Sequence, residues 1–320
     1  ARTHRDPAAA CDRDRRRRHP TPRARRPVRR PCSEYPASFV STARVRIVTD
    51  SACDLPQQVA DALDIEIVPL TIRIDGHEYV DRADLTPKEF WAKCDASPTL
   101  PETAAPAPGQ FEAVYRRLAA EGAASIVVIN LSGALSATMQ SAELAARSVG
   151  DTIRITVVDS QQVTLGLGLI VTEAARLAAD GADHDAVVAL ATRLAGTTKV
   201  WGALDTLENL KKGGRIGGAK ALLASALAIK PIVEVRDGKV EEGGKQRTRS
   251  KALAFLVDKV KAAGEVGTVM VLHADCADVD TFVEMLRAHH HGEIVVGDIG
   301  PVVGSHTGRG TIGVAFVASH

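Results

Sequence analysis

The sequence predicts an α/β protein of two α/β lobes, with parallel or mixed sheets flanked by helices. Three observations lead there. From residue 44 onward, short β-branched runs alternate with helix-length amphipathic segments. At 45% hydrophobic content, the 320-residue chain carries enough apolar side chains for a sizeable core. No apolar run reaches the ~18–20 residues of a bilayer-spanning helix, which excludes an integral membrane protein built from helices.

Taken in order, residues 44–49 (RVRIVT) read as a buried strand and residues 55–63 as a helix. Residues 66–80 hold two extended runs around Asp75-Gly76, the two-residue turn of a hairpin. Thr86-Pro87-Lys88-Glu89 opens a helix with a capping box and a proline at its first position. Four prolines make residues 97–111 an extended ordered loop. Strands follow at 125–130 and 153–159, and helices at 136–147, 167–179 and 185–194. A second block begins near residue 196, which places an N-terminal lobe at 44–195 and a C-terminal lobe at 196–320. Its strands are expected at 200–203, 268–273, 294–298 and 312–317, with a hairpin at 232–240 around Asp237-Gly238. Its helices are expected at 206–212, 219–228, 250–263 and 278–289.

Residues 1–43 are unlike the rest. They hold 12 arginines and 4 acids, whereas the following 277 residues carry 28 basic and 35 acidic side chains. The formal net charge of +1 is therefore the sum of a segment at +8 and a body at −7. The segment has no apolar periodicity and is expected to be disordered. Lacking an h-region, it is no secretory signal. It reads as translated upstream sequence or an expression leader rather than as a phosphate-binding arm, and no nucleic-acid partner is expected. The cysteines, Cys11, Cys32, Cys53, Cys94 and Cys276, show no C-x-x-C spacing, which argues against a disulfide framework and a cysteine metal site. A reducing cytoplasm is the expected location.

Several enzyme signatures are absent: there is no P-loop, no G-x-S-x-G and no H-E-x-x-H. Gly308-Arg-Gly310-Thr-Ile-Gly313 matches G-x-G-x-x-G in letters, but a strand and not a helix follows it. The three consecutive histidines 289–291 read as a solvated helix end, so no metal is expected. What recurs instead is a hydroxyl cluster beyond a strand: Thr49-Asp50-Ser51, the 132–138 stretch with Ser132, Ser136 and Thr138, Asp159-Ser160, and Ser305-His306-Thr307. Each is a good helix N-cap. Together they also suit a pocket for a carboxylate or phosphate.

Five separated segments then resemble one family in its order: VRIVTDSACDLP, LSGALSATMQSA, TLENLKKGGRIGG, IKPIVEVRDGKV and GPVVGSHTGRGTIGV. Across residues 44–320 the chain is similar to the DegV family of fatty-acid-binding proteins, the acyl-carrying subunits of bacterial fatty acid kinases. The resemblance implies a long-chain fatty acid as ligand and no other cofactor. It implies a fatty acid kinase catalytic subunit as partner, and transient contact with a membrane surface. It assigns the carboxylate to Thr103, Ser132, Ser136, Thr138, Ser305 and His306. It also assigns a basic headgroup or partner-facing role to Arg215, Arg247, Arg249 and Arg309. Ala104 and Ala105 stand where the family has Ser-Gln, Ala137 where it has Gly, and Arg309 where it has Pro. The aliphatic runs 165–171 and 221–229 are candidates to line an acyl tunnel. The alternative reading is a hydrolase or acyltransferase using Ser51, Ser136 or His306.

Overall fold

The computed structural model describes residues 44–224 and 229–318, and its fold is mixed α/β. The Arg-rich segment lies outside the described residues. The first half runs β1 (Val45–Asp50), α1 (Gln57–Ala62), β2 (Ile65–Val68), β3 (Thr71–Ile74), β4 (His77–Val80), α2 (Pro87–Ala96), β5 (Glu102–Ala104), α3 (Pro108–Ala120), β6 (Ser125–Asn130), α4 (Thr138–Val149), β7 (Arg154–Asp159), α5 (Leu165–Ala179) and α6 (His184–Thr197). Then come β8 (Thr198–Ala203), α7 (Glu208–Lys212), β9 (Lys230–Arg236), β10 (Lys239–Gln246), α8 (Arg249–Ala262), β11 (Val269–His273), α9 (Val279–Arg287), β12 (Ile294–Asp298), α10 (Pro301–Thr307) and β13 (Ile312–Val317).

Among the described residues, three sheets result. The order β2-β1-β6-β7 is parallel throughout, and β6 is buried along its whole length, as its unbroken SIVVIN run requires. A six-stranded mixed sheet has the order β10-β9-β8-β13-β11-β12. A small antiparallel sheet, β4-β3-β5, completes the set. Both expected hairpin turns form with positive φ at each central residue, 49° and 79° at Asp75-Gly76 and 50° and 74° at Asp237-Gly238. The capping box at α2 also forms: the Glu89 N–H donates to Thr86 Oγ1 at 3.2 Å, and the Thr86 N–H to Glu89 Oε2 at 2.9 Å.

Helix α5 packs against β1 on one side and against β8, β11 and β13 on the other. Its Leu165, Leu167 and Ile170 are fully buried in the largest core cluster. An ideal Cβ on Gly168 would lie 2.7 Å from the Cys53 carbonyl oxygen, a backbone atom that cannot swing aside. Alanine gains about 1 kcal/mol over glycine inside a helix, but overpacking of this kind costs about 1–3 kcal/mol. We expect Gly168→Ala to lower stability by about 2 kcal/mol in urea unfolding. An unchanged midpoint would refute so close an approach.

Three expectations need correction. The proline-rich stretch 97–111 is not loop throughout: it contains β5 and the start of α3, whose first residue is Pro108. The Ser305-His306-Thr307 cluster does not open a helix: it forms the last turn of α10, which Pro301 opens and Gly308 ends at φ 81°. The run 219–228 is a 3-10 turn over Gly217–Ala224, and its remainder lies outside the described residues. Among the described residues, no helix is long and apolar enough to cross a membrane.

Candidate functional site

A partly open cavity lies beyond the carboxyl ends of β1 and β6, where ligands of open α/β sheets are expected. Its wall is aliphatic, with Ala52, Leu70, Leu131, Val163, Val302 and Val303. Thr103, Ser136, Arg215 and His306 meet on the same cavity and are its polar members with Thr307. Thr103 and His306 owe their places to two elements that were not foreseen, β5 and α10. Pairing of β5 with β3 sets Thr103 opposite Ile72, and the last turn of α10 carries His306. Thr103 Oγ1 lies 2.8 Å from His306 Nε2.

His306 Nδ1 is buried without a hydrogen-bond partner among the described residues. Burial, with a smaller effect from the Arg215 guanidinium, pushes the imidazole pKa down to about 4, so the ring is neutral at pH 7. The Arg215 guanidinium is fixed by two backbone carbonyls, Leu135 O at 3.1 Å from Nε and Gly213 O at 2.6 Å from Nη1. Ser136 Oγ lies 2.9 Å from Thr138 Oγ1.

The other assigned residues do different work. Thr138 is fully buried and reaches the cavity only through Ser136. Ser132 is also fully buried and donates to the Gly238 carbonyl at 2.6 Å, which ties the β9–β10 turn to the loop after β6. Ser305 donates to the Pro301 carbonyl one turn back, at 2.7 Å. Arg249 grips Asp278 at 2.9 and 3.0 Å, the Gly310 carbonyl and Cys276 Sγ. Arg309 bridges Asp95 at 2.9 Å and Asp275 at 3.2 Å over the Trp91 ring, because acids rather than the cavity face it. Arg247 is exposed. No Ser–His pair forms at the cavity: the His306 ring nitrogen that has a partner faces Thr103, and Ser136 faces Thr138. The run 165–171 belongs to the core, and Val163 just before it reaches the cavity. The run 221–229 is only partly within the described residues.

The Thr49-Asp50-Ser51 cluster is not an anion site. It belongs to a group of three buried carboxylates that sequence reasoning missed. Asp50 accepts from Asn130 Nδ2 at 2.9 Å and from the Leu131 N–H at 2.8 Å. Asp54 accepts from Thr164 Oγ1 at 2.6 Å and from the Gly300 N–H at 3.1 Å. Burial, against these bonds, raises Asp50 to about 6 and Asp54 to about 8. Asp81, hydrogen-bonded to Ser51, is likewise raised by burial, to about 6. Among the described residues, no cluster of His, Cys, Asp or Glu is arranged to hold a metal ion.

The family model described as "Uncharacterised protein, DegV family" matches residues 44–319. The chain belongs to the DegV family. A DegV domain-containing protein of Deinococcus radiodurans is 37% identical over 277 residues, covering 85% of this chain and 98% of that one. One from Streptomyces coelicolor is 35% identical, covering 84% and 97%. A DegV family protein of Thermus thermophilus, solved as a fatty-acid-binding structure, superposes with a TM-score of 0.81 at 36% identity, covering 86% of this chain and all of that one. DegV of Bacillus subtilis, described as a fatty acid binding protein, gives a TM-score of 0.78 at 26% identity, covering 87% and 100%. The match to the DegV family thus spans residues 44–319, and the Arg-rich segment lies outside that match.

Proposed function

We propose that this DegV protein binds a long-chain fatty acid, its acyl chain along the aliphatic wall and its carboxylate at Thr103, Ser136, Arg215 and His306. The observation that carries this reading is one cavity with an aliphatic wall and five polar side chains, Thr307 among them. Burial of each CH₂ contributes ~0.8 kcal/mol, so a sixteen-carbon chain brings roughly 12 kcal/mol of transfer free energy. The apolar wall therefore supplies the affinity and the polar residues orient the head. The hydrogen bonding of His306 supports an anionic head. With Nδ1 lacking any acceptor, the neutral ring is best satisfied with its proton on Nε2, donating to Thr103 Oγ1. The Thr103 hydroxyl proton is then free to point at an incoming carboxylate.

The same reading has a separate kinase supply ATP. A carboxylate oxygen attacks the γ-phosphorus, the bond to the β-bridging oxygen breaks, and ADP leaves as the acyl phosphate forms. Such transfers depend on positioning and charge neutralisation, and a carboxylate held by hydroxyls and a neutral imidazole keeps its nucleophilicity. Transient contact with a membrane surface, where fatty acid is drawn from, belongs to this proposal too. Native mass spectrometry of the purified protein is expected to show one fatty acid per chain. Phosphate transfer from ATP is expected only after a fatty acid kinase is added. Protein that is free of lipid and takes up no added fatty acid would overturn the reading.

A further inference from the structure

Gly213 ends α7 and sits between the two nitrogen-bearing groups of the cavity. Its φ of −73° and ψ of −6° suit any L-residue, so backbone conformation does not call for glycine there. Its neighbour Gly214 differs, with φ at 72°. What Gly213 lacks is room. An ideal Cβ would stand 2.4 Å from His306 Nδ1, 3.1 Å from its Cε1 and 3.0 Å from the Asn209 carbonyl oxygen. The first distance involves a ring that is itself held, because Nε2 is bonded to Thr103 and Asn209 Nδ2 donates to the neighbouring Ser305 carbonyl at 3.2 Å. On its other side the Gly213 carbonyl accepts from Arg215 Nη1 at 2.6 Å.

We propose that Gly213 is a positioning residue of this site: its bare Cα is the wall against which His306 is set, which directs Nε2 to Thr103 and denies Nδ1 a partner. The inference rests on the fatty-acid reading for its consequence, not for its geometry. A proton on Nδ1 would face carbon rather than an acceptor, so the wall selects the Nε2-protonated ring and thereby the orientation of the Thr103 hydroxyl. The charged groups facing this opening are Arg215 beyond α7, Lys212 on α7 and Glu102 on β5. Of these, Arg215 further disfavours a second proton on the ring.

A double-mutant cycle on the full chain tests the proposal, with Gly213→Ala, His306→Ala and both together. The imidazole ¹⁵N shifts of the empty protein are read by NMR, and oleate affinity by calorimetry. In wild type the ring is expected to show protonated Nε2 and unprotonated Nδ1; in Gly213→Ala this single-tautomer pattern is expected to be lost. Oleate affinity should then fall about tenfold, whereas adding Gly213→Ala to His306→Ala should change it by less than about twofold. If Gly213→Ala alone fails to fold, the double variant should fold, since the overlapping ring is gone. Equal losses in both backgrounds, an unchanged ring pattern in Gly213→Ala, or a double variant that also fails to fold would overturn the proposal. Should wild type bind no oleate, the ligand reading fails, and the ring pattern still decides the role of Gly213.

Discussion

Thr103→Val weakens fatty-acid binding by about ten- to hundredfold. Valine keeps the shape of threonine and removes only the hydroxyl, so the aliphatic wall is untouched. Two interactions go with that hydroxyl. One is the hydrogen bond to the carboxylate, and bonds to charged groups contribute about 1.5–3 kcal/mol. The other is the 2.8 Å partnership with His306 Nε2, whose loss leaves both ring nitrogens without partners in a half-buried position. Thr103→Ser keeps the hydroxyl and should bind within a few-fold of wild type by calorimetry. Wild-type affinity in the valine variant would move the carboxylate elsewhere in the cavity, away from β5.

Asp54→Asn raises stability at pH 8.5 by on the order of 6 kcal/mol. The Asp54 carboxyl has a folded pKa of about 8 against 3.8 unfolded. Below the unfolded value both states are protonated, and the stabilisation of the neutral form is fully present. As pH rises toward 8 the unfolded chain releases a proton that the folded one retains, so stability falls until the folded pKa is passed. Asp50 and Asp81 act in the same direction but complete their loss lower, near 6. His306 acts oppositely and only below its ordinary 6.5, where the unfolded chain takes up protons first. Between pH 6.5 and 8.5 the slope therefore belongs chiefly to Asp54. Asparagine reproduces the neutral acid: its oxygen accepts from the Gly300 N–H and its NH₂ donates to Thr164 Oγ1. Denaturant unfolding across this window should be steep for wild type and nearly flat for the variant. Parallel curves would mean that Asp54 is ionised in the folded protein throughout.

The sequence made the long-range plan legible where local chemistry is strong. The runs at β1, β6 and β13, both Asp-Gly hairpins and the capping box of α2 all formed where periodicity and turn residues placed them. It was least legible where an element depends on a distant partner. Three residues flanked by prolines carry no strand signal of their own, and β5 exists because β3 offers its edge. Helix α10 is short and carries two glycine-flanked turns, so its composition imitated a loop; the signal available was Pro301 at the first helical position. At the site, Thr103, Ser136, Arg215 and His306 line one cavity. Ser132 and Ser305 did not reach the cavity, because a nearby carbonyl claimed each hydroxyl. Whether a serine points at a ligand or at its own backbone is set by the surrounding chain, which one-dimensional reasoning cannot see. The buried acids were hidden for the same reason, since burial rather than residue type makes them unusual.

The bond between Thr103 and His306 joins residues 203 positions apart. During synthesis at about 5–20 residues per second, roughly 10–40 s separate the appearance of the two on the ribosome. A nascent chain can build the parallel sheet β2-β1-β6-β7 in that interval, because its strands are all in the first half. It cannot yet bring Thr103 and His306 together. On the proposed fatty-acid reading, loading is thus deferred to the release of a complete chain, and a half-made protein lacks the finished polar site while its core is still open.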